Sequence, residues 1–544
     1  MFTIAEIART HAAERPDKVG IVCDDRSLTY GELHEESSKV ANALVAAGVG
    51  TQGRVGFIGK NIPEYFTLLL GAAKLNAVTV AVNWRLAPPE MAYILDNAEA
   101  KVVLVEGEFL DHLDKMDLPR NPTIITVNAE SEHTGYTDWI ADASTEDPNA
   151  PVDIDDTASQ LYTSGTTGLP KGAELSNRNF NTTMEPVSDM LALDSESVIL
   201  HVLPMFHIGG SGVALAGLMR GATNVVHRDV DPGRIFADIP GYGVTSAFMV
   251  PALLQVLPML PGASDVDFSS LQQILYGASP ITEDALVASM ALLKCDHAQV
   301  YGLTETTGVV TILPPEDHDP GGPRAKLLRA AGKPVDGVEI RIVDDAGSDA
   351  ADGEVGEIWV RTHQNLKGYW RNEGATSDAF PEGRGDDGLG WFSTGDAGYM
   401  DDGYLFIHDR VKDMIVSGGE NVYPAEIENA IISHPEVADV AVVGIPSERW
   451  GESPLALIVP TEGADPSQED IIAHCAERLA RFKLPSKVER IEAIPRNPSG
   501  KILKVELRKP YWEGRDRAVN CSYVHRRILL GQNPRRRQDR RVSP

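Results

Sequence analysis

The densest chemistry in the sequence lies in Tyr162-Thr-Ser-Gly-Thr-Thr-Gly-Leu-Pro-Lys171-Gly172. Thr163, Ser164, Thr166 and Thr167 supply hydroxyls, Gly165 and Gly168 let backbone amides approach a ligand closely, and Lys171 adds positive charge. Such a segment is suited to holding phosphate oxygens. It follows a strand-like ASQL and precedes a helix-like stretch. It is not a Walker loop, because Pro170 stands where that motif needs its second glycine and Gly172 where it needs Ser or Thr. A flexible Ser/Gly turn is the plain alternative.

Other patterns fail on inspection. Gly383-Arg-Gly-Asp-Asp-Gly388 is a literal GxGxxG, but no strand precedes it, no helix follows, and its paired aspartates would repel a pyrophosphate. It reads as an acidic loop. No GxSxG elbow, HExxH helix or EF-hand loop occurs, which removes the footing of hydrolase and metalloenzyme readings.

Five further segments follow the phosphate loop in a fixed order: Tyr301-Gly-Leu-Thr-Glu305, Ser393-Thr-Gly-Asp396, Asp409-Arg410-Val-Lys412-Asp413, Ser417-Gly-Gly-Glu-Asn-Val-Tyr-Pro424 and Pro495-Arg-Asn-Pro-Ser-Gly-Lys501. Together they resemble the adenylate-forming superfamily of acyl- and aryl-CoA synthetases, peptide-synthetase adenylation domains and firefly-type luciferases. The form is most like bacterial fatty-acyl-CoA ligases, and the likeness runs from about residue 5 to residue 510.

The resemblance implies roles residue by residue. Joining a carboxylate to ATP brings two anions together, so the site must neutralise charge. Glu305 is a hard oxygen ligand for Mg²⁺, with Thr163 as its companion and Thr304 beside it in the same catalytic turn. Tyr301 would stack on adenine over Gly277 and Ala278. Asp396, read as part of a Thr-Gly-Asp turn, would accept both ribose hydroxyls, and Arg410 would bind ribose or phosphate. Lys501 would contact carboxylate and α-phosphate during adenylation, and His207, in PMFHIGG, would lie beside the substrate carboxylate with Phe206. Gly418 and Gly419 would line a narrow pantetheine channel. Each residue has an ordinary alternative: a capping Glu, a turn Asp, a surface Arg or Lys, a core His.

The implied reaction is ATP-dependent synthesis of acyl-CoA through acyl-AMP, releasing AMP and pyrophosphate, with coenzyme A as co-substrate. Glycines 209, 210, 212, 302 and 308, with Val309 and Val310, suggest room for a substantial apolar acid, a medium- to long-chain fatty acid first and a bulky aryl or steroid side-chain acid second. Coenzyme A is favoured as acceptor because no carrier domain follows PRNPSGK and PMFHIGG lacks the Asp with which amino-acid-activating relatives hold an ammonium group. An acyl-AMP ligase loading a separate carrier protein is the alternative enzyme, and an adenylate-binding sensor the alternative outside enzymes.

The elements that must position these groups are legible as periodicity. From Arg54 onward, β-branched runs such as RVGFIG, VTVAVNW and KVVLVE alternate with helical IPEYFTLLLGAAKLN and PPEMAYILDNA, the pattern of βαβ units. The alternation resumes with VILHVLPM, TNVVHRD, TSAFMV, LQQILYGAS and AQVYGLTE. After Gly332, VEIRIVDDAG, GEIWVRT and GYLFIHDR read as an antiparallel subdomain, and helix PAEIENAIISH, strands VADVAVVGI and PLALIVPT, helix SQEDIIAHCAERLARF and strand KVERIEAI follow. The expectation is an α/β protein: a large multi-subdomain N-terminal domain over 1–409 with wound sheets and an antiparallel β subdomain, a small mobile α+β domain over 410–510, and a basic, disordered tail over 511–544.

Composition limits the partners. At 544 residues the chain exceeds one core. A formal charge of −30 disfavours nucleic acid, whereas the tail carries Arg526, Arg527, Arg535, Arg536, Arg537, Arg540 and Arg541. Cys23, Cys295, Cys475 and Cys521 lie far apart without metal-finger spacing, which suits a reducing cytoplasm. The N-terminus lacks a secretory pattern, and the apolar stretch from Tyr65 to Val82, interrupted by Lys74 and Asn76, reads as a core helix and strand. The expected partners are a small carboxylic acid, ATP and coenzyme A; a homodimer and peripheral membrane contact through the tail are admitted.

Overall fold

The computed structural model describes residues 2–163, 169–279, 281–344, 346–410, 413–417, 420–447, 450–479, 481–496 and 502–513. The chain forms two compact units. The first comprises the chain up to Arg341, Trp359–Thr394 and Met400–Phe406; the second comprises Ile342–Ile358, Gly395–Tyr399 and the chain from Ile407 onward.

The first unit holds two large sheets. In the eight-stranded one, Arg54–Ile58 pairs in parallel with Val78–Val82 on one side and Ala100–Glu106 on the other. The helices Pro63–Lys74 and Pro88–Ala98 make the crossovers, each with a proline in its first turn where the missing N–H costs nothing. Ile58, Val80, Val103 and Val105 are fully buried, as strands covered on both faces require. Beyond Val78–Val82 the sheet continues through Thr157–Thr163, then antiparallel through Lys171–Ser176 and Gly368–Tyr369. The Thr163↔Lys171 pair closes the ladder next to the phosphate loop.

In the nine-stranded sheet, Val19–Cys23, Thr223–Val226, Val198–His201, Ser246–Met249, Gln273–Gly277 and Asp296–Leu303 run parallel, and Gly308–Leu313 returns antiparallel. Residues before Arg54, which show no βαβ alternation, supply the last two strands at one side of this sheet: Ile21 pairs with Asn224 in parallel and with Leu28 of the edge strand Arg26–Thr29 in antiparallel register. Leu200, Val225, Ala247 and Ile274 form its core with Ile239, Leu254 and Leu286.

The helix-then-strand reading of Tyr65 to Val82 holds, as Pro63–Lys74 and Val78–Val82. Lys74 nevertheless lies inside the core, with its ammonium donating to His34 O (2.7 Å), Ser37 Oγ and Ser38 Oγ (both 2.8 Å). Asp147 stands 3.9 Å away, and burial pulls the Lys74 pKa down to about 7. Among the described residues no helix is long and apolar enough to cross a membrane.

The strands Glu339–Val343, Gly356–Arg361, Phe392–Asp401 and Tyr404–Arg410 form a four-stranded sheet in that order. Asp402 and Gly403, at φ 52° and 79°, make the tight DDG turn between its last two strands. The GRGDDG segment is a loop whose charges are spent locally, Asp387 on Arg361 and the adjoining Glu382 on Arg341.

In the second unit, Val437–Ser447 and Gly451–Pro460 form a long antiparallel pair extended by Lys487–Arg490. The helices Pro424–Ile432 and Gln468–Ala476 cover one face through Ile427, Ile431, Ile471 and Cys475, while Ala441, Val443, Leu455 and Leu457 build the other with Ile494. The helix expected over 467–482 ends at Ala476 and gives way to a 3₁₀ turn at Arg481–Lys483 just before Pro485.

Candidate active site

Thr163 ends the strand Thr157–Thr163, and Glu305 sits in the 3₁₀ turn Thr304–Thr306 that follows Asp296–Leu303. Two strand ends from different sheets thus meet. The Thr163 hydroxyl donates to Glu305 Oε1 at 2.9 Å, and the Tyr369 hydroxyl donates to the same oxygen at 3.0 Å. Lys171 Nζ lies 5.2 Å from the centre of the Tyr369 ring. The ends of parallel strands are where open α/β sheets hold ligands.

The Glu305 turn is held by its own threonine hydroxyls and by the segment 364–366. Thr306 Oγ1 accepts from Leu303 N (3.0 Å), Thr307 adopts φ 54° with its hydroxyl on Gln364 O (2.7 Å), and Leu366 N donates to Glu305 O (2.7 Å). Thr304 O accepts from Thr307 N, which closes the turn. A Cβ on Gly302 would sit 1.4 Å from Gly308 O, so only glycine lets the two strands close here.

Gly277 ends Gln273–Gly277 opposite Val300, and a Cβ there would meet Val300 O at 2.2 Å. Ala278 follows at φ 70°, exposed, and Tyr301 is half-buried on the adjoining strand. These three residues therefore lie together at the C-terminal ends of two adjoining inner strands of the nine-stranded sheet.

His207 precedes the helix Ile208–Arg220 as its N-terminal cap residue. Its ring stacks on Phe206 at 4.5 Å, and Nε2 is buried with no hydrogen-bond partner among the described residues. Burial, reinforced by Arg85, lowers its pKa to about 4, so the imidazole is neutral at pH 7 with one nitrogen free for a ligand oxygen. Ile208 lies 3.8 Å from where a Gly308 Cβ would stand, so this helix start borders the strand that follows the Glu305 turn.

Two expectations change. Asp396, 8% exposed, lies within the strand Phe392–Asp401 and not in a turn, next to Gly395 at φ 72°. The glycines expected to make room for an acyl chain do other work in part. Gly210 would meet Pro204 O at 2.3 Å, Gly302 packs on backbone, Gly308 is needed for φ 112°, and a Cβ on Gly209 would meet the Phe248 ring at 2.9 Å, which leaves Gly212, with Ile208 3.6 Å from its Cβ position, as the one with open room.

Residues 164–168, Gly418, Gly419 and Lys501, the Arg410 side chain, and the tail beyond 513 lie outside the described residues. Sequence reading missed Tyr369. A lone Gly-Tyr-Trp carries no signal until Gly368–Tyr369 pairs with Lys171–Ser176.

This fold and site define an adenylate-forming enzyme. The chain matches the model for the AMP-binding enzyme family over residues 8–370 and that for the AMP-binding enzyme C-terminal domain over 426–501, and it belongs to that family. It is similar to the fatty acid–[acyl-carrier-protein] ligase ScoC of Streptomyces coeruleorubidus, 40% identical over 525 residues, or 95% of this chain and 98% of ScoC. It is also similar to the long-chain-fatty-acid–CoA ligase FadD13 of Mycobacterium tuberculosis, 36% identical over 498 residues, or 90% of this chain and 94% of FadD13. Among solved structures, ATP-bound MatB from Rhodopseudomonas palustris superposes with a TM-score of 0.85 at 30% identity, covering 94% of this chain and 99% of MatB. The protein is an adenylate-forming acyl ligase, an AMP-forming acid–thiol ligase that consumes ATP.

Proposed function

We propose that this ligase activates a medium- to long-chain fatty acid and transfers its acyl group to coenzyme A. The observation that carries the adenylation half is the Thr163–Glu305 bond, which joins the strand entering the phosphate loop to a carboxylate on the neighbouring sheet. The fatty-acid part rests on ScoC and FadD13, whose names both specify a fatty acid.

In the first half-reaction a carboxylate oxygen attacks the α-phosphorus, the α–β phosphoanhydride bond breaks, and pyrophosphate leaves. In the second, the thiol loses its proton, sulfur attacks the acyl carbon, and AMP leaves. Lys171 and the phosphate loop balance the charge of the polyphosphate, and Lys501 that of the pentavalent phosphorus. Gly277, Ala278 and Tyr301 hold adenine, Asp396 and Arg410 the ribose, and Thr304 closes the turn that carries Glu305. His207 offers its free nitrogen to the substrate carboxylate, and Gly418 and Gly419 pass the pantetheine thiol. The N-terminal domain over 1–409 carries most of these groups, and the mobile domain over 410–510 exchanges Lys501 for the glycine channel between the half-reactions.

The donor set suits Mg²⁺: a carboxylate and a hydroxyl are hard oxygen ligands. Among the described residues no three His, Cys, Asp or Glu side chains gather, so the ion would be shared between Glu305, Thr163 and the nucleotide's phosphates. Bound there, it would offset the negative charge that develops on the departing pyrophosphate.

A carrier protein as acceptor is the second reading, favoured by the 40% identity to ScoC across 95% of this chain. The test is ATP–pyrophosphate exchange against a panel of carboxylic acids, followed by thioester formation with coenzyme A or a phosphopantetheinylated carrier protein. Exchange with fatty acids and thioester on coenzyme A are expected. Thioester on the carrier protein alone would move the acceptor, and absence of exchange with any acid would return the chain to an adenylate-binding role.

A further inference from the structure

We propose that Tyr369 is a positioning residue for the divalent cation that accompanies ATP: its hydroxyl fixes the Glu305 carboxylate in the orientation that receives the metal. The inference rests on reading Glu305 as a metal ligand, and its evidence is the way Tyr369 is held.

Both hydroxyls that reach Glu305 use Oε1, and among the described residues Oε2 accepts no hydrogen bond. Among the described residues one oxygen is thus tied by two hydroxyls and the other is open to a cation. A carboxylate bound this way cannot swing, so binding a metal costs it no side-chain ordering.

The short strand that carries the phenol is itself anchored on both sides. Tyr369 pairs with Ala173 across the strands, its backbone N–H donates to Thr376 Oγ1 (2.9 Å), and the following Trp370 donates from Nε1 to Asn97 O (3.0 Å). The Arg54 guanidinium lies 3.4 Å from the centre of the Trp370 ring and pairs with Glu174 at 2.9 Å. Arg371 adds an ion pair with Glu99 at 2.6 Å. These contacts tie the Gly368–Tyr369 edge of the eight-stranded sheet to the strand Arg54–Ile58 and to the end of the helix Pro88–Ala98.

Groups that orient a metal ligand are worth roughly 10- to 100-fold in metal affinity. The experiment titrates Mn²⁺ into the full-length protein with a non-hydrolysable ATP analogue and reads bound metal by electron paramagnetic resonance. Tyr369→Phe should weaken Mn²⁺ binding by about tenfold or more while the thermal midpoint stays unchanged. In a Glu305→Gln background the same change should have almost no effect, because the carboxylate it acts through is gone. Thr163→Val, which removes the other hydroxyl from Oε1, should add to the loss. Equal affinity in the native and Tyr369→Phe proteins, or the same loss in both backgrounds, would overturn the assignment. No carboxylic acid enters the titration, so the result stands whether or not the fatty-acid reading does.

Discussion

Thr163 and Glu305 are 142 positions apart in sequence and 2.9 Å apart in space. The bond links the end of the strand Thr157–Thr163, in the eight-stranded sheet, to the turn between Asp296–Leu303 and Gly308–Leu313, in the nine-stranded one. Glu305→Gln keeps the shape and both hydroxyl contacts but removes the negative charge. Adenylation should fall by on the order of 100-fold, the scale of losing one charge-stabilising group, and the Mg²⁺ needed for half-maximal rate should rise. A metal titration of pyrophosphate exchange measures both, and unchanged values would make Glu305 an ordinary turn residue.

Lys501→Ala should separate the half-reactions. Pyrophosphate exchange should drop to background, whereas supplied acyl-AMP should still be converted to the thioester, because the lysine is assigned only to the phosphorus. Equal loss in both assays would sink that division.

Gly302→Ala should destabilise the first unit by on the order of 3 kcal/mol, since its Cβ would stand 1.4 Å from the Gly308 carbonyl oxygen and backbone must move. Gly135→Ala, whose Cβ meets nothing within 4 Å, is the matched control. Thermal midpoints that shift equally for the two would show that the Gly302 contact carries no constraint.

Lys74 makes stability depend on pH. Its folded pKa of about 7 lies below that of an unfolded lysine, near 10.4, so between those values the unfolded chain binds more protons. Stability should therefore rise with pH across that window, by up to about 1.4 kcal/mol per unit, and the penalty for burying the charge is fully present below pH 7. Lys74→Met removes the titration. Denaturation at pH 7.5 and 9.5 should show the native protein gaining on Lys74→Met, and a constant difference would refute the shift.

The sequence alone determined the wound α/β architecture and the order of its motifs, because β-branched runs and amphipathic helices follow local periods that survive without any partner. It also made a candidate phosphate-binding segment legible, since hydroxyls, glycines and a lysine stand together within eleven residues, Tyr162 to Gly172. The tertiary structure alone decided what pairing over long distances creates. Val19–Cys23, with Arg26–Thr29 outside it, joined a sheet through Thr223–Val226, some 200 residues further along the chain. Gly302 and Gly210 proved to be sites of backbone approach and not acyl space, because a missing side chain reads the same in sequence whether it admits a ligand or a carbonyl. Tyr369 joined the candidate site for the same reason: only the ladder between Gly368–Tyr369 and Lys171–Ser176 carries its hydroxyl to Glu305.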